Sequence, residues 1–488
     1  MNIIQRIIHF LNSLTVLSFL CCIFIIQTLL HVKYLDLPPV GFHQWRQTQT
    51  LAVAKNFYEE SMDIFHPRVD SRGQYTGITG MEFPFVNYSI AIGYKLFGFS
   101  NFVQRVVLLL FSFMALTGCF LFTRKLLNLQ WIACASTIFL MFSPLFCYYS
   151  IVALPDLPSL SLIFLSLYFF LLYQESHKNF SLILMLVMLT LSALIKIYAL
   201  VVLPFIIYHI FKSGRTNISK LSVILILCLT IVIVSIWYLY ARYLSMTYHN
   251  FDFRLNSNFP YELAVIPKVL KKVFVQWLPE LYLNYAEFTF FCVGVYVVVK
   301  GRYKNAKRFV LLYLSLFVLY FVTFLPMFEI HDYYAIPALP MLIVLTTVGF
   351  IHLVNQSEFK RWVRNFTLIM IFIMPILGSI RSLSRFEGAE RPWDLMTIEQ
   401  HLNKVVPDNQ SLIIAAGDNS PSTYLYFMHR KGWPVADKLE EDQLIEMKNN
   451  GAKYLVSSSR ELESKENILK HLNIISEYGS FKIFALKN

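Results

Sequence analysis

The chain has 488 residues, of which 56% are hydrophobic and only 15% charged, with a mean hydropathy of +0.54. An ordinary soluble domain is roughly a quarter charged, so lipid is the solvent for most of this chain. Disorder, a collagen-like chain and a small disulfide scaffold are excluded by the same figures. The net charge of +12 is unevenly placed: residues 1–384 carry 29 basic and 15 acidic residues, and residues 385–488 carry 13 and 15. The basic excess therefore sits in the apolar part, where the positive-inside rule accounts for it without a nucleic-acid partner.

A membrane-spanning helix needs about 20 mostly apolar residues. About eleven segments meet or approach this: 7–30, 102–122, 131–149, 157–173, 180–195, 197–211, 221–243, 286–300, 309–328, 335–354 and 366–381. The run 7–30 has only Arg6 ahead of it and no small-residue cleavage site, so it reads as an anchor. The short apolar stretch 84–98 reads as a helix lying in the membrane interface. The expected fold class is thus an α-helical polytopic membrane protein with a small C-terminal α/β domain. The membrane module is 1–384 and the tail 385–488.

Orientation follows from the short loops. Arg124-Lys125, Lys178, Lys212/Arg215/Lys220, five basic residues in Lys300–Arg308, and Lys360/Arg361/Arg364 fall on every second connection, on the same side as Arg6. That side should be the cytoplasm. The opposite side then receives 31–101, 150–156, 244–285, 329–334 and the tail. These stretches hold the His, Asp, Glu, Tyr and Trp residues that chemistry requires, so a site is expected on the outer face.

In the tail, Leu412–Ala416, Tyr454–Ser457 and Phe481–Leu486 read as strands. Thr397–Val405, Ser422–His429, Glu440–Asn449 and Glu461–His471 read as helices, and Gly451 stands where a helix would end before a strand. All seven cysteines lie in apolar runs, with no CxxC pair and no zinc spacing, and read as packing residues. There is no Walker loop or dinucleotide fingerprint, and "GDNSP" at 417–421 carries no recognisable motif, so no nucleotide is expected.

The first outer loop is the densest constellation. His43, Trp45, Arg46 and Gln47 open a helix expected to run to about Glu60. A helix N-terminus beside an arginine favours an anion, and the guanidinium fork and indole face suit a phosphate and a sugar ring. An interfacial aromatic-basic belt is the competing reading. Glu82, in "MEFP", is a general base, a metal ligand, a partner for Arg46, or simply an acid at a helix start. Asp70 is an acid of the site or a turn residue. Asp156, in "ALPDLPSL", is an N-cap or a second acid facing the same outer cavity. Lys196 is a snorkelling lysine or a point charge for a lipid phosphate. The turn 329–334 places Glu329, His331, Asp332, Tyr333 and Tyr334 together, more polar groups than an aromatic belt needs.

Taken in order, these segments resemble a known family. HxWRQ at 43–47, AxNF at 54–57, Val69-Asp70, Glu82-Phe83-Pro84, YKLFG at 94–98, Pro155-Asp156 and HxYY..P..P at 331–340 resemble the GT-C polyprenyl-phosphate-sugar glycosyltransferases. The closest groups are the protein O-mannosyltransferase-like family and the lipid A aminoarabinose transferases. The tail's "SPSTYLYFMHRKGW" is similar to the extracytoplasmic end domain of some bacterial members. The resemblance implies a multi-span helical bundle with interfacial helices in the first outer loop. It implies inverting transfer of a sugar from a polyprenyl-phosphate donor to a lipid A, surface-glycan or protein acceptor. It also implies a bacterial inner membrane with the site and tail in the periplasm, no nucleotide, and in some members a divalent metal.

Residue by residue, Glu82 matches the acid before the proline that opens the interfacial helix. Asp156 matches the acid that opens the fourth span, and Lys196 a lysine near the sixth. Arg46, His331 and Tyr333 match positions facing donor phosphate or sugar; Trp45 and Asp332 stand beside them. Many members carry an Asp-Glu pair at the start of the first-loop helix; here His43-Gln44-Trp45-Arg46-Gln47 stands instead. The base is therefore sought among His43, Glu82, Asp70 and Asp156. Two other functions compete: a polysaccharide polymerase or ligase using a lipid-linked oligosaccharide, and a secondary transporter or flippase. The transporter is disfavoured because no inverted repeat is seen and the acids cluster outside mid-span.

Overall fold

The computed structural model describes residues 3–212, 220–249, 260–357, 360–418 and 420–487. Arg215, residues 250–259 of the expected outer stretch, and Asn419 of "GDNSP" lie outside them. The chain forms two compact units. One comprises Met1–Leu35, Arg105–Ile236 and Leu255–Glu387, and the other Asp36–Gln104, Trp237–Arg254 and Gly388–Asn488.

Among the described residues, seven helices are long and apolar enough to cross a membrane: Val16–Tyr34, Asn101–Leu127, Asp156–Ser176, Val223–Thr247, Lys304–Thr323, Asp332–Gln356 and Arg361–Glu387. The pair Val265–Tyr282 and Tyr285–Val299, bent by 118°, brings the number to eight if it is one span. Gln130–Phe142, Asn179–Ile195 and Ile197–Lys212 are apolar but shorter. Each of the eleven expected segments thus has a helical counterpart, but length and composition count seven or eight spans.

Three expected spans are interrupted: 309–328 leaves its helix at Thr323 and resumes at Met327, and the residues explain the other two breaks. The run 7–30 is two helices, Ile3–Ser13 and Val16–His31, because the Thr15 hydroxyl accepts the Ser18 N–H at 3.0 Å and caps the second. The run 131–149 ends its first helix at Phe142, because Pro144 pushes Ser143 to an extended ψ of 118°. The Ser143 hydroxyl then caps the short helix Pro144–Tyr149.

The helical unit is packed through small residues. A Cβ on Gly294 would lie 1.9 Å from the Leu345 carbonyl oxygen, and one on Gly349 would lie 1.8 Å from that of Phe290. These glycines let the Tyr285–Val299 and Leu339–Ser357 helices approach backbone to backbone. Hydroxyl pairs join other helices, Ser159 to Ser192 at 2.9 Å and Ser136 to Thr347 at 3.0 Å. All seven cysteines are free thiols.

The second unit holds two first-loop helices, Gln44–Glu59 and Phe85–Phe97, and a five-stranded sheet from the tail. Its strands are β1 (Leu412–Ala416), β2 (Gly432–Val435), β3 (Ala452–Ser457), β4 (Leu472–Tyr478) and β5 (Phe481–Leu486), in the order β2-β1-β3-β5-β4. β2, β1 and β3 run parallel, while β5 is antiparallel to both β3 and β4. Ile414, Leu439, Leu455, Ile468 and Phe484 form its core.

β1, β3 and β5 lie where the sequence places them; β2 and β4 were not expected. β2 is four residues long and holds Gly432 and Pro434, a poor strand by composition. β4 follows immediately on the expected helix 461–471, which shrinks to single turns at Leu462–Ser464 and Glu466–Leu469. The outer edge of β2 is covered by the first loop. The N–H groups of Arg72 and Gly73 donate to the Gly432 carbonyl at 3.1 and 3.0 Å, and the Gly432 N–H donates to the Asp70 carbonyl at 3.2 Å. An edge that would otherwise offer unpaired backbone groups is thereby closed.

Candidate functional site

The second unit carries one group of candidates. The turn before the Gln44–Glu59 helix holds Gly41 and His43 in the left-handed region, with φ of 88° and 57°. A non-glycine residue there is strained, and such strain concentrates at functional turns. Trp45, the second residue of the helix, is exposed. Arg46 donates to both oxygens of Glu82 at 2.9 and 3.1 Å, and to the Gln49 side chain at 2.8 Å. Of the readings open for Glu82, the structure therefore places it as the partner of Arg46. It does not start a helix, which begins at Phe85. The pair is neither buried nor free in solvent, at 16% and 18% side-chain exposure.

Asp70 sits differently. Its side chain is 0% exposed, and so is that of Lys55, whose Nζ lies 2.9 Å away. Lys431 donates to its other oxygen at 2.6 Å, and Asn56 to the same oxygen at 3.0 Å. Burial alone would raise its pKa, but Lys55 and Lys431 outweigh it and hold the carboxyl well below the usual range. Both oxygens are thus taken up inside the protein, and Asp70 ties the Gln44–Glu59 helix to the start of β2. His429 makes a second tie, 2.6 Å from Glu59 and 2.9 Å from Glu399.

The first unit carries the other group. Asp156 is the first residue of the Asp156–Ser176 helix, whose N-cap is Pro155, so the N-cap reading is corrected. Its carboxylate instead accepts from the Tyr198 hydroxyl at 3.1 Å and lies 3.8 Å from Lys196. Lys196 stands at the break between Asn179–Ile195 and Ile197–Val202, with its side chain 15% exposed. Asp332 is buried, with one oxygen on the Tyr149 hydroxyl at 2.5 Å and the other on Arg385 at 2.6 Å. The Arg385 guanidinium also lies over the Tyr148 ring, 4.1 Å from its centroid. His331 stacks on Tyr333 and Tyr334, with ring centroids 5.2 and 5.7 Å away. Glu329 pairs with Lys268 at 2.5 Å. Among the described residues, no group of three or more His, Cys, Asp or Glu side chains is arranged to hold a metal ion.

Sequence reasoning missed Lys55, Lys431, Tyr198 and Arg385. Lys55 had a signal, a lysine inside Ala-Val-Ala-Lys-Asn-Phe. Arg385 lay at the expected domain boundary, whereas its helix continues to Glu387.

The family model of dolichyl-phosphate-mannose-protein mannosyltransferases matches residues 82–240. ArnT from Cupriavidus metallidurans, solved bound to undecaprenyl phosphate, superposes with a TM-score of 0.63 at 12% identity, over 96% of this chain and 98% of that one. The fold is the GT-C glycosyltransferase fold. The archaeal oligosaccharyltransferase AglB from Archaeoglobus fulgidus gives a TM-score of 0.58 at 12% identity, over 90% of this chain and 69% of that one. The mycobacterial arabinofuranosyltransferase AftD gives 0.61 at 11%, over 98% of this chain and 40% of that one. No curated protein matches the sequence. The resemblance drawn from the ordered motifs is borne out, and the fold class with it.

Proposed function

We propose that this protein is a membrane glycosyltransferase that moves a sugar from a polyprenyl-phosphate donor to an extracytoplasmic acceptor. The observation that carries the proposal is whole-length likeness of fold to a protein solved with undecaprenyl phosphate bound, in a chain of several apolar spans. Two charged pairs support it, because Glu82 and Asp156 are each matched to a candidate phosphate-binding cation, Arg46 and Lys196.

Arg46 with Glu82, and Lys196 with Asp156, are cation–carboxylate pairs. An arriving donor phosphate competes for the cation. The carboxylate so released takes the proton of the acceptor hydroxyl or amine. The acceptor oxygen or nitrogen then bonds to the anomeric carbon. The bond from that carbon to the phosphate oxygen breaks, and polyprenyl phosphate leaves with the electron pair. Attack opposite the leaving group inverts the anomeric centre. Fixed positive charge near the phosphate stabilises the departing anion. Trp45 in one unit and the His331–Tyr333 stack in the other each offer a ring face to a sugar, and Arg385 holds Asp332, next to Tyr333 in the chain, in place. Glu82 and Asp156 are the bases of choice, with His43 third; Asp70 is assigned to structure.

The test is donor turnover by the purified protein in lipid, with undecaprenyl-phosphate-linked sugars and a cell-envelope extract as acceptor. Label moving from lipid to an envelope component supports the reading. Intact donor across a broad sugar panel rejects it. Label moved as an oligosaccharide block would favour the polymerase or ligase alternative.

A further inference from the structure

Glu82 lies on a loop with no helix or strand of its own between Thr79 and Pro84. Something else must fix it. Three residues of the Lys220–Thr247 helix, in its last turns from Trp237 onward, do so at successive points. The Trp237 indole N–H donates to the Met81 carbonyl at 3.1 Å. The Ser245 hydroxyl accepts the Gly80 N–H at 3.1 Å. Between them, Gly80 rests directly on the backbone at Ala241; a Cβ on it would lie 1.8 Å from the Ala241 carbonyl oxygen. Positions 237, 241 and 245 are four apart and therefore share one helix face. The residues that flank Glu82 in the chain are thus held on both sides. Met81 is bonded to Trp237, and the Phe83 ring meets the Trp237 indole edge-on, 4.9 Å between centroids. The same face reaches back to the earlier part of the loop, where Tyr240 donates to the Phe65 carbonyl at 3.2 Å.

We propose that this Trp237–Ala241–Ser245 face is a positioning device for Glu82 and, through it, for Arg46. The inference rests on the proposed transferase reading only for its consequence for rate. Trp237 and Ser245 touch no reacting atom in it; they act through the loop. The 80–83 backbone is the part fixed, so the effect falls on the chemical step, where a misplaced carboxylate loses rate, more than on donor affinity. Gly80 is required for close approach, and any side chain there must push the loop off the helix.

The variants are Trp237→Phe, which keeps the ring but removes its N–H, Ser245→Ala, and their combination, with Gly80→Ala as an independent steric probe. Two readouts are taken on the full-length protein in lipid: amide hydrogen exchange of residues 79–84, and kcat with KM for the lipid-linked donor. The double variant and Gly80→Ala are expected to exchange 79–84 at least about tenfold faster. They should also lose about ten- to hundredfold in kcat with KM within about twofold. Protection unchanged in both variants overturns the proposal. So does faster exchange with kcat retained, since the loop would then be held for a reason other than Glu82. If the parent protein transfers no sugar, the transferase reading fails, and the exchange data alone still decide whether this face holds the loop.

Discussion

Replacing Asp70 by asparagine should destabilise the second unit more than any other single exchange of a carboxylate for its amide there. The amide keeps the shape and accepts on one atom, but it removes the charge that sits between Lys55 and Lys431. Lys55 is 0% exposed and has no water to turn to, whereas Lys431 is 20% exposed. Removing one partner of a buried ion pair costs about 3–5 kcal/mol, because the remaining charge is left uncompensated. At about 2–4 °C per kcal/mol for a body of 150–250 residues, the unfolding midpoint of this unit should fall by about 6–20 °C. Thermal unfolding of the full-length protein in detergent or nanodiscs, followed by fluorescence and by proteolysis of the tail, measures it. Lys431→Met should cost less, since Asp70 keeps Lys55 and part of Lys431 is already in water. An Asp70→Asn protein that unfolds within about 2 °C of the parent would refute the reasoning, because the cluster would then be contributing nothing net.

Acid should act on the same cluster: the Asp70 pKa is depressed from its ordinary 3.8, so its stabilisation is complete above that value and is lost as pH falls below it. Midpoints measured from pH 5 down to pH 2 should hold to about pH 4 and then fall, more in the parent than in Asp70→Asn. The His429 tie runs the other way. Hydrogen bonds to Glu399 and Glu59 raise its pKa above the ordinary 6.5, so its contribution is full below 6.5 and fades as pH rises through the raised value. His429→Gln should flatten that alkaline loss of tail stability. In the helical unit, Gly349→Val should abolish correct packing against the Tyr285–Val299 helix, read as loss of monodisperse protein in detergent. Asp332→Asn should lower both stability and activity, because Arg385 and the Tyr149 hydroxyl are buried against it.

Much of the fold was legible because long apolar runs are a one-dimensional signal. The limits of that reading appear at Thr15 and Ser143, where one capping hydroxyl or one proline divides an apolar run that hydropathy averages over. β4 was hidden because "HLNIISEY" reads equally as the end of a helix, and its strand state depends on pairing with β5. In the candidate site, the residue types were readable but not their partners. Glu82 and Asp70 look alike in sequence, as acids of one loop. They part only in three dimensions, because Lys431, more than 300 residues later, reaches Asp70, while Arg46 reaches Glu82. Arg385 and Trp237 sit in apolar helices where periodicity gives no hint of function, and only the packing reveals what they hold.

The central claim is that a lipid-linked sugar is transferred with Glu82 and Asp156 among the acting groups. It is tested most directly by incubating the purified parent, Glu82→Gln and Asp156→Asn proteins in lipid with undecaprenyl-phosphate-linked sugars and envelope acceptor, with and without divalent metal. The account predicts sugar release by the parent and a loss of about a hundredfold or more in at least one variant while the protein stays folded. Donor left intact by the parent, or both variants as active as the parent, would contradict it.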